Sequence, residues 1–203
     1  MTTALVPSFT AADVYLAAWT TMVELKIREL HNNDGPSVEA IQAVTGNAPP
    51  DKYCASTAAA AGVWAFGRRR WPLKITASCT ELIADAKSKG AFHLTERTWE
   101  GMGKPASSEH LIAPPRRGML FVILRDLITA VHVGVITRGF ADASFETDEG
   151  NAADPTRPSS VDGTGIYGGR HRNHADDVVR ATGKPRLYGL LEWESLLKRR
   201  RAC

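Results

Sequence analysis

Long apolar runs are missing from this sequence. The longest, Ala58 to Phe66, is interrupted by Gly62 and falls well short of the roughly 18 residues a membrane-spanning helix needs. No membrane span is expected. Cysteine is scarce, with only Cys54, Cys79 and Cys203 among 203 residues. A small odd count gives no disulfide framework and leaves at least one thiol free. The opening MTTALVPSFTAADVY has neither a basic start nor a long apolar segment, so Sec export is not expected and the chain should be made in the cytoplasm. A surplus of one charge is lacking too: 25 Lys and Arg against 22 Asp and Glu leave +3. Arg68–Arg70, Arg116–Arg117 and Lys198–Arg201 are short basic clusters. They read as solvated surface, not as the dense stripe of a nucleic-acid binder.

What remains is ordinary globular material, 43% hydrophobic and 23% charged, long enough to bury a core without staples. One domain is expected over 1–203, with its core at about 11–193 and a basic tail at 194–203, of which KRRRAC (198–203) reads as frayed. Residues 11–30 read as an amphipathic helix with Val14, Ala18, Met22 and Leu25 at helical spacing and Thr10 as N-cap. PSVEAIQAVTG reads as a short helix closed by Gly46. After the stiff NAPPDKY connection, the small-residue segment CASTAAAAGVWAFG reads as a buried helix opening at Cys54. CTELIADAKSKG is a further helix, and 91–117 looks irregular. Five strand candidates follow: 118–124, 130–137, 143–150, 165–172 and 186–193. Helices first and strands afterwards mean an α+β domain with an antiparallel sheet of five to six strands.

Three segments hold groups capable of chemistry. Cys54 opens a helix, where free amides and the helix dipole favour a thiolate; a buried structural cysteine fits the same position. His132 leaves the Val131, Val133, Val135 face of its strand. Gly134 beside it weakens the strand and therefore implies close approach of another group; a partly exposed histidine without a role also fits. Glu149 and Asn151 alternate about Gly150, which places both on one side of the strand, where either would fix an imidazole; an acidic turn also fits. Cys79 reads as packing and Cys203 as a surface thiol. His171 and His174 lack the nearby Cys or carboxylates of a zinc site and read as a solvated basic turn. Trp64 and Trp71 read as core. No metal and no cofactor are expected.

A nucleophile at a helix start, then His on a strand, then a carboxylate or Asn on the next strand is the order found in papain-like thiol hydrolases. The chain resembles the CHAP domains (cysteine, histidine-dependent amidohydrolases/peptidases), relatives of the NlpC-type cell-wall peptidases. The matching pieces are KYCAS, the RRGMLFVI strand, HVGVI and EGN, with Glu149 at 17 and Asn151 at 19 residues past His132. ELHNNDGPSVEAIQAVTG is similar to the lead-in helices of phage and bacterial members. The likeness covers about residues 25–192. It departs at Arg117-Gly118-Met119, where the family reads Pro-Gly-Asp, and in lacking an acidic calcium loop before Cys54.

The resemblance implies a papain-like fold and cleavage of peptidoglycan amide bonds, as an N-acetylmuramoyl-L-alanine amidase or endopeptidase. Cys54 would attack, His132 would shuttle the proton, and Glu149 or Asn151 would hold the imidazole. The Cys54 amide would be one oxyanion donor; Asn47 and Tyr53 are candidates for the other donor or for a substrate contact. The partner would be the bacterial wall, reached through holin release or as part of a virion by a monomeric enzyme. An injected antibacterial effector and a catalytically idle tail component are the alternatives.

Overall fold

The computed structural model describes residues 9–103, 112–154, 163–173 and 186–201. Among them the architecture is α+β, with six helices and one six-stranded sheet. No described helix is long and apolar enough to cross a membrane.

Helix α1 (Ala11–Glu24) starts at Thr10, whose side chain accepts from the Asp13 amide while Asp13 reaches back to the Thr10 amide. Two orphan donors are thereby satisfied reciprocally. Its buried stripe is Ala12, Tyr15, Leu16, Trp19 and Met22. The expected stripe was offset: Val14 and Leu25 are exposed, because the two aromatics have more apolar area to bury. The helix is also shorter than 11–30, since Lys26 adopts positive φ and the chain then bridges from Arg28 to Gly165. Helix α2 (Pro36–Thr45) has Pro at its first position and a left-handed Gly46 at its end, the favoured asymmetry of helix termini.

Helix α3 (Cys54–Phe66) is buried along its whole run from Cys54 to Gly62. Small residues make this possible. A side chain at Gly62 would collide with the Trp71 ring, and one at Gly150 with Thr57. The sheet, α1 and α2 can therefore close on α3 from several sides at native packing density. Helix α4 (Cys79–Ser88) is capped by Ser78.

Residues 91–117 are not wholly irregular. Strand β1 (Phe92–Leu94) and the short helix α5 (Glu96–Gly101) lie there. A three-residue strand is too short for a period to register in sequence, yet Phe92 and Leu94 pair with Leu191 and Gly189. Strands β2 (Leu120–Leu124), β3 (Ala130–Gly139), β4 (Phe145–Ala152), β5 (Gly165–Arg172) and β6 (Leu187–Leu191) follow. The order across the sheet is β1-β6-β2-β3-β4-β5, every neighbour antiparallel. The tail is not frayed up to Arg201: helix α6 spans Glu194–Arg201, and Leu196 and Leu197 join the main core.

One core lies between the helices and the sheet, around Tyr15, Trp19, Trp71 and Trp193. A smaller one covers the other sheet face, from Phe121, Ile123, Ile136, Phe145, Tyr188 and Leu190. Trp71 is in the core as expected, whereas Trp64 is half exposed.

Candidate active site

Cys54 is the first residue of α3, and the loop before it is fixed by buried polar contacts. Gln42 Nε2 donates to the carbonyls of Asn33 and Asp51 at 3.2 and 2.7 Å. Asn33 Nδ2 donates to the Pro50 carbonyl at 3.0 Å. Tyr53 is fully buried, and its hydroxyl donates to Glu29 at 3.1 Å. That makes Tyr53 an anchor for the helix start, not a substrate contact. Asn47 is elsewhere too: it is half-buried, and its Nδ2 reaches the Lys52 carbonyl at 3.5 Å.

The residues converge at a small cleft lined by Asn33, Lys52, Cys54, Val131, His132, Asn151 and Gly163. His132 sits on β3, and Gly134 lies directly opposite Glu149 on β4. A Cβ on Gly134 would stand 2.6 Å from the Phe121 ring and 2.9 Å from Glu149 Cγ. The absent side chain is what lets the Glu149 carboxylate lie along β3, where it meets His132 Nε2 at 2.9 Å. This is a diagonal cross-strand pair.

Glu149 is fully buried, and an isolated carboxylate there would be very costly. It is not isolated. Arg172 on β5 reaches it twice, Nε to Oε1 at 2.8 Å and Nη2 to Oε2 at 2.5 Å. Thr147 Oγ1 donates at 2.6 Å. Burial pushes its carboxyl up, but the Arg172 and His132 charges and hydrogen bonds overcome that and hold it well below the usual range. Glu149 is thus an anion at neutral pH.

Cys54 lines the same cleft as His132, and the imidazole feels the Cys54 sulfur as well as the Glu149 carboxylate. Burial opposes charge on the ring, but these two partners raise its pKa to about 9. The Cys54 pKa falls well below the ordinary thiol value. A hydrogen bond from Cys79 is the largest cause; burial opposes it, and His132 and the Ala55 amide support it. The two shifts together favour a thiolate beside an imidazolium.

Four expected positions, Cys54, His132, Glu149 and Asn151, come to one place, but their parts differ. Glu149 holds the imidazole. Asn151 lines the cleft without bonding it, because a register shift between Glu149 and Ala152 and a left-handed φ of 51° at Asn151 break the strand alternation. Its Oδ1 is buried without a partner. Arg172 was not singled out in the sequence. Its signal is the alternation of GRHR on the strand after a buried carboxylate, a cation two residues from another. Cys79, read as packing, touches Cys54: the sulfurs are 3.4 Å apart. His171 is exposed on β5 beside Phe140. His174 and Cys203 lie outside the described residues. Among the described residues no group of three or more His, Cys, Asp and Glu is arranged to hold a metal.

Comparison with protein-family models, with curated proteins and with solved structures returned no match. The site's chemistry therefore stands on its own geometry.

Proposed function

We propose that the chain is a Cys–His–Glu thiol hydrolase that cleaves amide bonds of bacterial peptidoglycan. The observation that supports it most is His132, held by the buried Glu149 carboxylate at 2.9 Å in the same cleft as Cys54, whose thiol pKa is lowered. A structural cysteine has no need of a charged, oriented imidazole. The peptidoglycan substrate rests on the CHAP-like motif order alone.

In this reading the Cys54 thiolate attacks the carbonyl carbon. The first-turn amides of α3 have no side-chain cap, so the Cys54 N–H is free to donate to the oxyanion; one such donor is worth about 2.7–4 kcal/mol of barrier. The His132 imidazolium gives its proton to the leaving amine and then draws one from the water that hydrolyses the thioester. Glu149 keeps the ring oriented and stabilises its charge. The cleft's exposed cation, Lys52, faces substrate, and peptidoglycan stems are rich in carboxylates.

Zymography on purified sacculi tests the reading. The wild-type chain should clear them, and Cys54→Ala, folded to the same melting temperature, should not. Mass spectrometry of the released muropeptides separates a sugar–peptide amidase from an endopeptidase. Full clearing by Cys54→Ala would overturn the assignment.

A further inference from the structure

Cys79 is the first residue of α4, and its sulfur lies 3.4 Å from Cys54 Sγ in a buried contact. Both cysteines are free. A disulfide bond is about 2.05 Å long, so the two sulfurs need to close by roughly 1.4 Å to be joined. The two sulfurs meet from two helix starts, and Cys54 lines the cleft.

We propose that Cys54 and Cys79 are a reversible thiol–disulfide pair, with Cys79 as the resolving thiol for an oxidised Cys54. The consequence for activity rests on the reading of Cys54 as nucleophile. A peroxide is the oxidant. The Cys54 thiolate attacks one peroxide oxygen, the O–O bond breaks, and Cys54 becomes a sulfenic acid while hydroxide leaves and takes a proton to become water. The Cys79 thiol then attacks the Cys54 sulfur. An S–S bond forms, the S–O bond breaks, the Cys79 proton leaves with the oxygen, and a second water is released. The two sulfurs have lost two electrons, and the peroxide has been reduced to two waters. A dithiol reverses the bond by exchange.

The asymmetry of the pair suits these roles. The hydrogen bond with Cys54, together with burial, holds Cys79 protonated, so the peroxide-reactive sulfur and the resolving thiol are already distinguished. Bridging also stops Cys54 short of sulfinic acid, which a dithiol does not reverse.

The test uses the full chain with Cys203→Ser, which removes the other thiol. Hydrogen peroxide should lower the intact mass by about 2 Da, and peptide mapping should find one Cys54–Cys79 cross-link. Sacculus clearing should fall at least about tenfold and return fully with dithiothreitol. In Cys79→Ala, peroxide should instead add about 32 Da at Cys54, and dithiothreitol should not restore that variant's own starting activity. Cys79→Ser, closer in shape, gives the same reading should the alanine variant not fold. Sulfinic acid at Cys54 of the parent chain without the cross-link overturns the proposal, as does equal recovery with and without Cys79. A clean cross-link in a chain that never clears sacculi overturns the hydrolase reading and leaves the pair standing.

Discussion

Two helices of this molecule begin the same way and end up chemically opposite. Helices α3 and α4 each place a cysteine at their first position, and the two residues are almost equally buried, at 4% and 7% exposure. A helix start favours a thiolate in both. The difference lies in what else competes for that field. At α4, Ser78 accepts from the Glu81 amide, and Glu81 itself adds a negative charge to the first turn, paired with Lys74 at 2.9 Å. At α3 there is no side-chain cap and no acid in the first turn. Cys54 also has His132, charged by Glu149. Two anions 3.4 Å apart would repel strongly, so only one sulfur ionises. The capped, acidic start keeps its proton, and that proton then stabilises the other sulfur. A helix N-terminus permits a thiolate; the neighbours select which one.

The largest effect should come from removing the selected sulfur. Under the proposed hydrolase mechanism, Cys54→Ala should lower clearing of sacculi by about 10⁴-fold or more, since the covalent route would be lost. It should also change its twin. The hydrogen bond with Cys54 is the first cause of the raised Cys79 pKa, so Cys79 should alkylate with iodoacetamide at lower pH in the variant than in the parent chain. Cys79 unchanged by the loss of Cys54 would break the comparison.

The next effect is one strand further out. Arg172→Met should cost about 3 kcal/mol of stability, the lower end of the range for breaking a buried ion pair, because His132 and Thr147 still contact Glu149. The sign with pH follows from the lowered Glu149 pKa. Its stabilisation is present above the ordinary carboxylate value and is lost as pH falls through the folded value. Without Arg172 that folded value rises, so acid unfolding should begin at higher pH. Thermal melts across the acid range measure it; superimposable curves for variant and parent would separate Arg172 from the site.

How much of this the sequence made legible divides by the range of the interaction. The α2 and α3 starts, the Gly46 stop and the five longer strands were readable, because caps, glycine and strand patterning act within a few residues. Gly134 was readable as a place of close approach, although what approaches it is on β4. Cys54, His132 and Glu149 were readable as a set only through their order. Four things were not. Strand β1 is too short to show a period. Asn151 leaves its alternation at a bulge, which no local pattern announces. Arg172 meets Glu149 across a strand pair whose connecting segment hides the register. Cys79 meets Cys54 only because α3 and α4 bring their first turns together, 25 residues apart in sequence.

The pH profile sharpens the comparison further. The reactive pair exists where Cys54 is ionised and His132 is charged. Alkylation of Cys54 should therefore be fast well below the ordinary thiol pKa, and clearing should decline as pH rises through about 9, where His132 loses its proton. In Cys79→Ala the largest support of the thiolate is gone. The acid limb should then move to higher pH, while the alkaline limb, set by His132, should move less. A purely structural Cys79 would lower activity at every pH without shifting either limb.

The smallest expected effect probes the cap itself. Ser78→Ala removes the hydroxyl that accepts from the Glu81 amide at 3.2 Å, and an N-cap of this kind is worth about 1 kcal/mol. It should lower stability by that amount and free a donor at the start of α4, close to Cys79. If capping contributes to the difference between the two sulfurs, Cys79 should become somewhat easier to ionise, and its alkylation in the Cys54→Ala background should move to lower pH again. Loss of stability with no change in Cys79 alkylation would assign the whole difference to His132 and leave the cap with a purely structural part.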